Sequence, residues 1–216
     1  MPSAPEPWRG AARARLDEGL AALGLALPAP AREGLLDYLA LLARWNRAYS
    51  LTAVRDPVEM VTRHLLDCLA ALPHLPPGAL CDLGSGAGLP GIPIALAEPH
   101  RPVTLLEASA KKARFLRHAV LALAPDRVAV ACARAERWRP PRPFAVVAAR
   151  AVGELAALAR LAGPLLEAGG VLAALKGRHP AEELAALPAP WRVRAVHALA
   201  VPGLAAARHL VLLERP

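Results

Sequence analysis

Three glycines at alternate positions, Gly84, Gly86 and Gly88, follow the acidic residue Asp82 at the end of a short apolar run. A strand that empties into such a turn lets the backbone approach a ligand closely, because glycine accepts positive φ and carries no Cβ. A second acid, Glu107, closes the next apolar run, 23 residues after Gly84. A glycine turn and a strand-end carboxylate at that separation suit a nucleoside: the turn passes beneath it and the carboxylate takes the ribose hydroxyls. The segment Gly86-Ala87-Gly88-Leu89-Pro90-Gly91 also fits Gly-x-Gly-x-x-Gly, the dinucleotide pattern. Pro90 and Pro93 crowd the helix start that would face a diphosphate, and Asp82 would repel one. The acid favours a cationic ligand, the ammonium or sulfonium of S-adenosylmethionine. A nicotinamide or flavin cofactor is one alternative, and a tight turn without ligand is the other.

The elements that must position these residues are legible in outline. Residues 1–75 predict helices: Leu16, Leu20 and Leu23 keep helical spacing, and Leu35, Leu39, Leu42 and Trp45 share a face of a second helix over about 31–47. A third opens at Asp56-Pro57-Val58-Glu59, an N-cap with proline in the first turn and a Glu able to reach back to the cap, and runs to about Ala71. Leu75-Pro76-Pro77-Gly78 marks the seam before a second domain over 76–216. There, strands at 79–83, 102–107, 127–132, 144–149 and 170–175 alternate with helices at 90–98, 110–123, 151–167 and 180–186. That alternation predicts a doubly wound, mostly parallel sheet. Two last strands, near 192–198 and 207–213, are joined by a short Pro202-Gly203 connection, which predicts an antiparallel hairpin at the edge.

Length and composition set bounds. The chain has 216 residues, enough for one α/β domain and an appendage. No apolar run reaches the roughly 18 residues of a membrane-spanning helix, and MPSAPEPWRG lacks the order of a secretory signal, so a cytoplasmic protein is expected. Cys68, Cys81 and Cys132, odd in number and widely spaced, read as reduced thiols rather than disulfides or metal ligands. Only Lys111, Lys112 and Lys176 are lysines among 26 basic residues, Asn46 is the sole asparagine, and glutamine is absent. That usage reflects a GC-rich genome more than a function. The distribution of charge is more telling. Residues 101–150 hold eleven basic residues against three acidic ones, an excess equal to the +8 of the whole chain. A face of that kind suits a polyanion such as RNA, or is an Arg-rich solvated surface.

Four stretches together carry a resemblance to a known family. They are Trp45–Pro57 running into Arg63-His64-Leu65-Leu66-Asp67-Cys68; the glycine loop with its Leu89-Pro90-Gly91-Ile92-Pro93 tail; Leu105-Leu106-Glu107 with Lys111-Lys112-Ala113-Arg114-Phe115-Leu116; and Arg134-Ala135-Glu136, Ala149-Arg150-Ala151-Val152 and Leu175-Lys176-Gly177. The chain resembles the RsmG (GidB) family of bacterial small-subunit (16S) ribosomal RNA guanine-N7 methyltransferases. Ser50 and Cys68 stand where the family pattern leads one to expect Asn and Ser. The resemblance implies a Rossmann-like class I methyltransferase fold, with a seven-stranded sheet and an N-terminal helical extension. It also implies S-adenosylmethionine as cofactor and 16S ribosomal RNA, the small subunit or an assembly intermediate as partner.

The same resemblance implies roles. Gly84 and Leu89 line the cofactor pocket, Gly86 and Gly88 permit close backbone approach, Glu107 accepts from the ribose, and Ala135 and Glu136 lie beside the adenine. Arg150, after a strand, is expected at the pocket mouth, holding guanine, a phosphate or the cofactor carboxylate. Lys111, Arg134 and Lys176 fall on the same rim, Lys112 and Arg114 extend it, and His64 is a candidate RNA contact or a packing residue. Trp45 and Tyr49 fit the core better than a base-stacking role. Guanine N7 carries a free lone pair, so no catalytic base is expected; alignment and desolvation suffice. The rival readings are a same-fold methyltransferase acting on another RNA, a small molecule or a protein, and a non-catalytic RNA-binding module.

Overall fold

The computed structural model describes residues 6–123, 127–151 and 153–215; Met1–Pro5 and Val152, named above, lie outside them, as does Asp126, one of the three acids of residues 101–150. Seven strands form one sheet in the order β3-β2-β1-β4-β5-β7-β6, where β1 is Leu80–Leu83, β2 Val103–Glu107, β3 Val128–Cys132, β4 Phe144–Arg150, β5 Leu166–Lys176, β6 Arg192–Ala198 and β7 His209–Glu214. The first five are parallel, and β7 runs antiparallel to both β5 and β6. The hairpin therefore forms as expected, with its second strand inserted and its first strand at the edge.

Side-chain alternation explains why this sheet is covered twice. Leu80, Val103, Leu105, Val146, Ala148, Val171, Ala173, Leu210 and Leu212 belong to one apolar cluster. Cys81, Leu83, Leu106, Val147, Ala149, Leu172, Ala174, Val211 and Leu213 belong to another. Successive residues point to opposite faces of a strand, so runs that are apolar at every position must be buried on both sides.

The first face is covered by α1 (Arg9–Ala22), α2 (Ala29–Tyr49), α5 (Gly91–Ala97) and α6 (Ala110–Leu123), whose Leu16, Leu35, Ile94 and Phe115 share the cluster with the strands. The N-terminal helices thus pack on the sheet's own core, and an Arg32–Asp17 pair at 2.9 Å ties α2 to α1. The other face is covered by α7 (Leu155–Ala162), with Leu155, Leu158 and Ala162 inward.

Two helices depart from expectation. The helix from Pro57 is not uniform: α3 (Pro57–Met60) and α4 (Asp67–Leu69) flank a π-helical turn at Val61–Leu66. Asp56 Oδ1 caps it by accepting from Val58 N at 3.0 Å, but Glu59 pairs with Arg63 at 2.7 Å instead of reaching back. The helix expected over 151–167 is shorter, because Pro164 lacks an N–H and the chain turns through a 3-10 segment, Gly163–Leu165, into β5. A short α8 (Ala181–Ala185) follows β5.

Candidate active site

Alternation along the strands also builds the site. Asp82 pairs with Leu105 of β2 and with Ala148 of β4. Glu107 lies two residues beyond Leu105 and Arg150 two beyond Ala148, so all three charged residues occupy one face at the C-terminal ends of neighbouring strands. In parallel α/β sheets that end is where ligands bind.

Glu107 organises the glycine turn. Its Oε2 accepts from Gly86 N and its Oε1 from Ser109 N, both at 2.8 Å, and the residue is 7% exposed. One acceptor direction on each oxygen remains for further donors. Gly86 has φ +57, and a Cβ there would meet only Gly84 O at 3.8 Å, so the turn is open on that side. Gly88 has φ +90, and a Cβ there would strike the Ile92 side chain, so its bare backbone also lets the turn pack against the start of α5. Leu89 is buried in the core cluster, while Gly84 is half-buried on the turn.

Asp82 is fully buried. Its Oδ2 accepts from Gly91 N at 2.9 Å, at the start of α5, and its Oδ1 has no hydrogen-bond partner among the described residues. Burial pushes its carboxyl up to about 7, opposed by the Gly91 N–H and the Ser85 hydroxyl. A buried acceptor without a donor is what a cationic or N–H-bearing ligand would satisfy.

Arg150 is pinned more tightly than expected. Its Nη1 lies 3.2 Å from Cys68 Sγ and 3.4 Å from Asp67 Oδ2; its Nη2 donates to Arg63 O at 3.1 Å and to His64 Nδ1 at 3.3 Å. The π-helical turn supplies the Arg63 and His64 acceptors. Asp67 also binds Arg208 Nε at 2.8 Å, so one buried carboxylate holds two guanidinium groups. A guanidinium only donates, so His64 Nδ1 must accept and Nε2 carries the proton toward Thr52 Oγ1, 2.9 Å away. Burial lowers His64 to about 4, which keeps it neutral. The expectation of an RNA contact at His64 is corrected accordingly: it is 4% exposed and both nitrogens are engaged.

The remaining candidates divide. Lys111, Lys112, Arg114 and Arg134 are exposed, with Lys111 Nζ 5.0 Å from the centre of the Tyr49 ring. Trp45 packs edge-on to Tyr49 and against Phe115, as a core position should. Lys176 falls on the α7 side of the sheet, where Nζ binds Glu183 at 2.7 Å and Gly153 O at 3.2 Å. It lines a cavity of about 140 Å³ with Ala149, Ala151, Leu158 and Leu175 at the ends of β4 and β5. Ala135 is half-buried and Glu136 exposed beyond β3.

Sequence reasoning did not anticipate Tyr38, Thr52, Asp67 or Arg208. Thr52 and Asp67 sit within quoted motifs and Tyr38 falls on the apolar face of α2, so these three had a signal; Arg208 had none.

A sheet of this order, with a glycine turn after β1 and an acid ending β2, is the Rossmann-like methyltransferase fold. Solved structures agree. A glycopeptide N-methyltransferase, MtfA, complexed with S-adenosyl-L-homocysteine superposes with TM-score 0.61 at 15% identity, covering 71% of this chain and 87% of that one. TrmN from Thermus thermophilus superposes with TM-score 0.52 at 23% identity, covering 79% of this chain and 53% of that one. The family follows from sequence. Residues 31–211 match the GidB family, described as rRNA small subunit methyltransferase G, and the chain belongs to it. It is 52% identical over 212 residues to the ribosomal RNA small subunit methyltransferase G of Stenotrophomonas maltophilia (strain K279a), covering 97% of this chain and 98% of that protein. It is 55% identical over 181 residues to the protein of the same name from Xanthomonas campestris pv. campestris (strain B100), covering 84% and 85% respectively. Among the described residues, no helix is long and apolar enough to cross a membrane.

Proposed function

We propose that the protein is a cytoplasmic, S-adenosylmethionine-dependent enzyme that methylates N7 of a guanosine in the 530-loop region of 16S ribosomal RNA. The observation that carries this reading is the placement of Asp82, Glu107 and Arg150 on one sheet face around an open glycine turn, in a chain of this family. The partner is the ribosomal RNA, free or within the small subunit or an assembly intermediate.

The residues fit the cofactor. Asp82 Oδ1 is a buried acceptor awaiting a donor, and the open side of Gly86 leaves room for a ribose against Glu107. Bound S-adenosylmethionine supplies an electrophilic methyl group on a sulfonium, which the N7 lone pair takes without prior loss of a proton. Glu107 holds the ribose with the acceptor directions not used by Gly86 and Ser109. Asp82 offsets the positive charge of the methionine end. The turn at Gly84 and Leu89, and Ala135 with Glu136, frame the nucleoside. No side chain is assigned as a base; the site aligns donor and acceptor and excludes water.

Lys111, Lys112, Arg114 and Arg134 supply exposed positive charge for phosphates beside this pocket. Arg150 works through its fixed guanidinium at the pocket wall, and Lys176 must leave Glu183 to grip RNA. Transfer of tritiated methyl from S-adenosylmethionine to unmodified 16S RNA and to unmodified small subunits tests the reading. Label recovered as 7-methylguanosine on either substrate is expected; label on neither contradicts it.

A further inference from the structure

A second concavity lies on the N-terminal helices, outside the glycine turn. It measures about 1100 Å³, is lined by Arg44, Asn46, Arg47, Arg55 and Trp8, and has Glu6 as its one acidic lining residue among those described. That lies at the top of the roughly 300–1000 Å³ range of ligand pockets, so charge rather than size points to its occupant. Arg44, Arg47 and Arg55 are exposed, and none forms an ion pair with a described residue.

The cleft is a built feature. Asn46 Nδ2 donates to Thr52 O and Val54 O at 3.0 and 3.2 Å, while its Oδ1 accepts from Thr52 N at 2.9 Å. The only asparagine of the chain thus closes the loop that carries Arg55 past the end of α2. Thr52 lines the cleft and binds His64, whose other nitrogen meets Arg150. On its other flank α2 carries Tyr49 beneath Lys111. Hydrogen-bonded side chains therefore link the wall of the cleft to Arg150, and Lys111 of α6 lies over the other flank of α2.

We infer that this cleft binds the single-stranded sugar–phosphate backbone flanking the target guanosine, with Arg44, Arg47 and Arg55 on phosphates. The inference rests on the RNA reading above and adds a second anchoring surface to it. Phosphates held in the cleft fix the strand while the guanine enters at the strand ends.

The test compares wild type with the R44A/R47A/R55A triple variant, its R44K/R47K/R55K counterpart, and R160A on the exposed side of α7 as a control. Fluorescence anisotropy follows binding of a labelled single-stranded RNA of 530-loop sequence between 50 and 200 mM salt. Thermal melting and calorimetry with S-adenosylmethionine check fold and cofactor site. The triple Ala variant is expected to bind RNA on the order of tenfold more weakly and to lose about 2 from the slope of log K against log salt, about 0.7 per phosphate contact. Its melting and cofactor affinity stay at wild-type values, and the Lys variant recovers most of the binding. Wild-type RNA affinity and slope in the Ala variant overturn the cleft, and if the wild type still transfers methyl to RNA the proposed activity stands. A loss seen only with assembled subunits assigns the cleft to a protein neighbour and likewise overturns it. No methyl transfer by the wild type to RNA or subunits removes both readings.

Discussion

The hydroxyl of Tyr38 donates to the carbonyl of Ala87 at 2.8 Å, across 49 residues of sequence, with both groups buried. Through this bond a helix of the N-terminal extension holds the crest of the glycine turn. Among the described residues no backbone N–H donates to Ala87 O, so removing the hydroxyl leaves it unpaired. Tyr38→Phe should cost about 1–3 kcal/mol, the penalty of a buried unpaired carbonyl, measured by urea unfolding. S-adenosylmethionine affinity should fall with it in calorimetry. An unchanged unfolding midpoint and affinity would show that α2 does not support the turn.

Asp82 couples cofactor binding to pH. Its carboxyl titrates near 7, above its ordinary value of 3.8 because it is buried, so the unliganded fold is favoured by protonation and loses that contribution as pH rises through about 7. A cationic ligand prefers the ionised form, so affinity runs the opposite way. S-adenosylmethionine should bind several-fold more tightly at pH 7.5 than at pH 6, below the range where an α-amino group deprotonates, about 7.7–8.0. In Asp82→Asn that slope should vanish. A wild-type affinity flat across this interval would remove Asp82 from the cofactor's charge balance.

Asp67 holds Arg150 and Arg208 together with its side chain 5% exposed. Asp67→Ala leaves two guanidinium groups without their carboxylate. The loss should be about 2–3 kcal/mol, less than the 3–5 of a fully buried pair because Arg150 and Arg208 keep 20% and 28% of their exposure. Chemical denaturation measures the stability. Methyl transfer at saturating cofactor should drop as well, since Arg150 loses its fixed position; full activity would mean that the network only stabilises the fold.

The thiols should differ sharply. Cys68 and Cys81 are buried, with burial raising Cys68 to about 12, whereas Cys132 is exposed. Only Cys132 should react with a disulfide reagent in the native protein, and all three after denaturation. Rapid native labelling of Cys68 would show that the wall behind Arg150 opens.

The sheet and the glycine turn were legible because each rests on local pattern. Runs such as Val103–Glu107 and Phe144–Arg150 are apolar at nearly every position, and Glu107 follows the turn at a spacing that chemistry requires. The end of α7 was not, since Leu155, Leu158, Leu161 and Leu165 keep helical spacing past the point where Pro164 breaks the backbone. The π-helical turn at Val61–Leu66 was also invisible, because no residue type marks it. Its consequence, the pinning of Arg150, joins residues 82 to 87 positions apart and exists only in three dimensions. The N-terminal cleft was missed for the same reason: Arg44, Arg47 and Arg55 look like scattered surface charges until Asn46 folds the loop between them.

The most direct test of the proposed activity reads the modification itself. Ribosomal RNA from cells with and without the gene for this protein is reduced, cleaved with aniline and mapped across the 530 loop of 16S RNA. A 7-methylguanosine cleavage is expected in the parent, with its loss in the deletion and its return with the wild-type gene. A cleavage that persists undiminished in the deletion would contradict it.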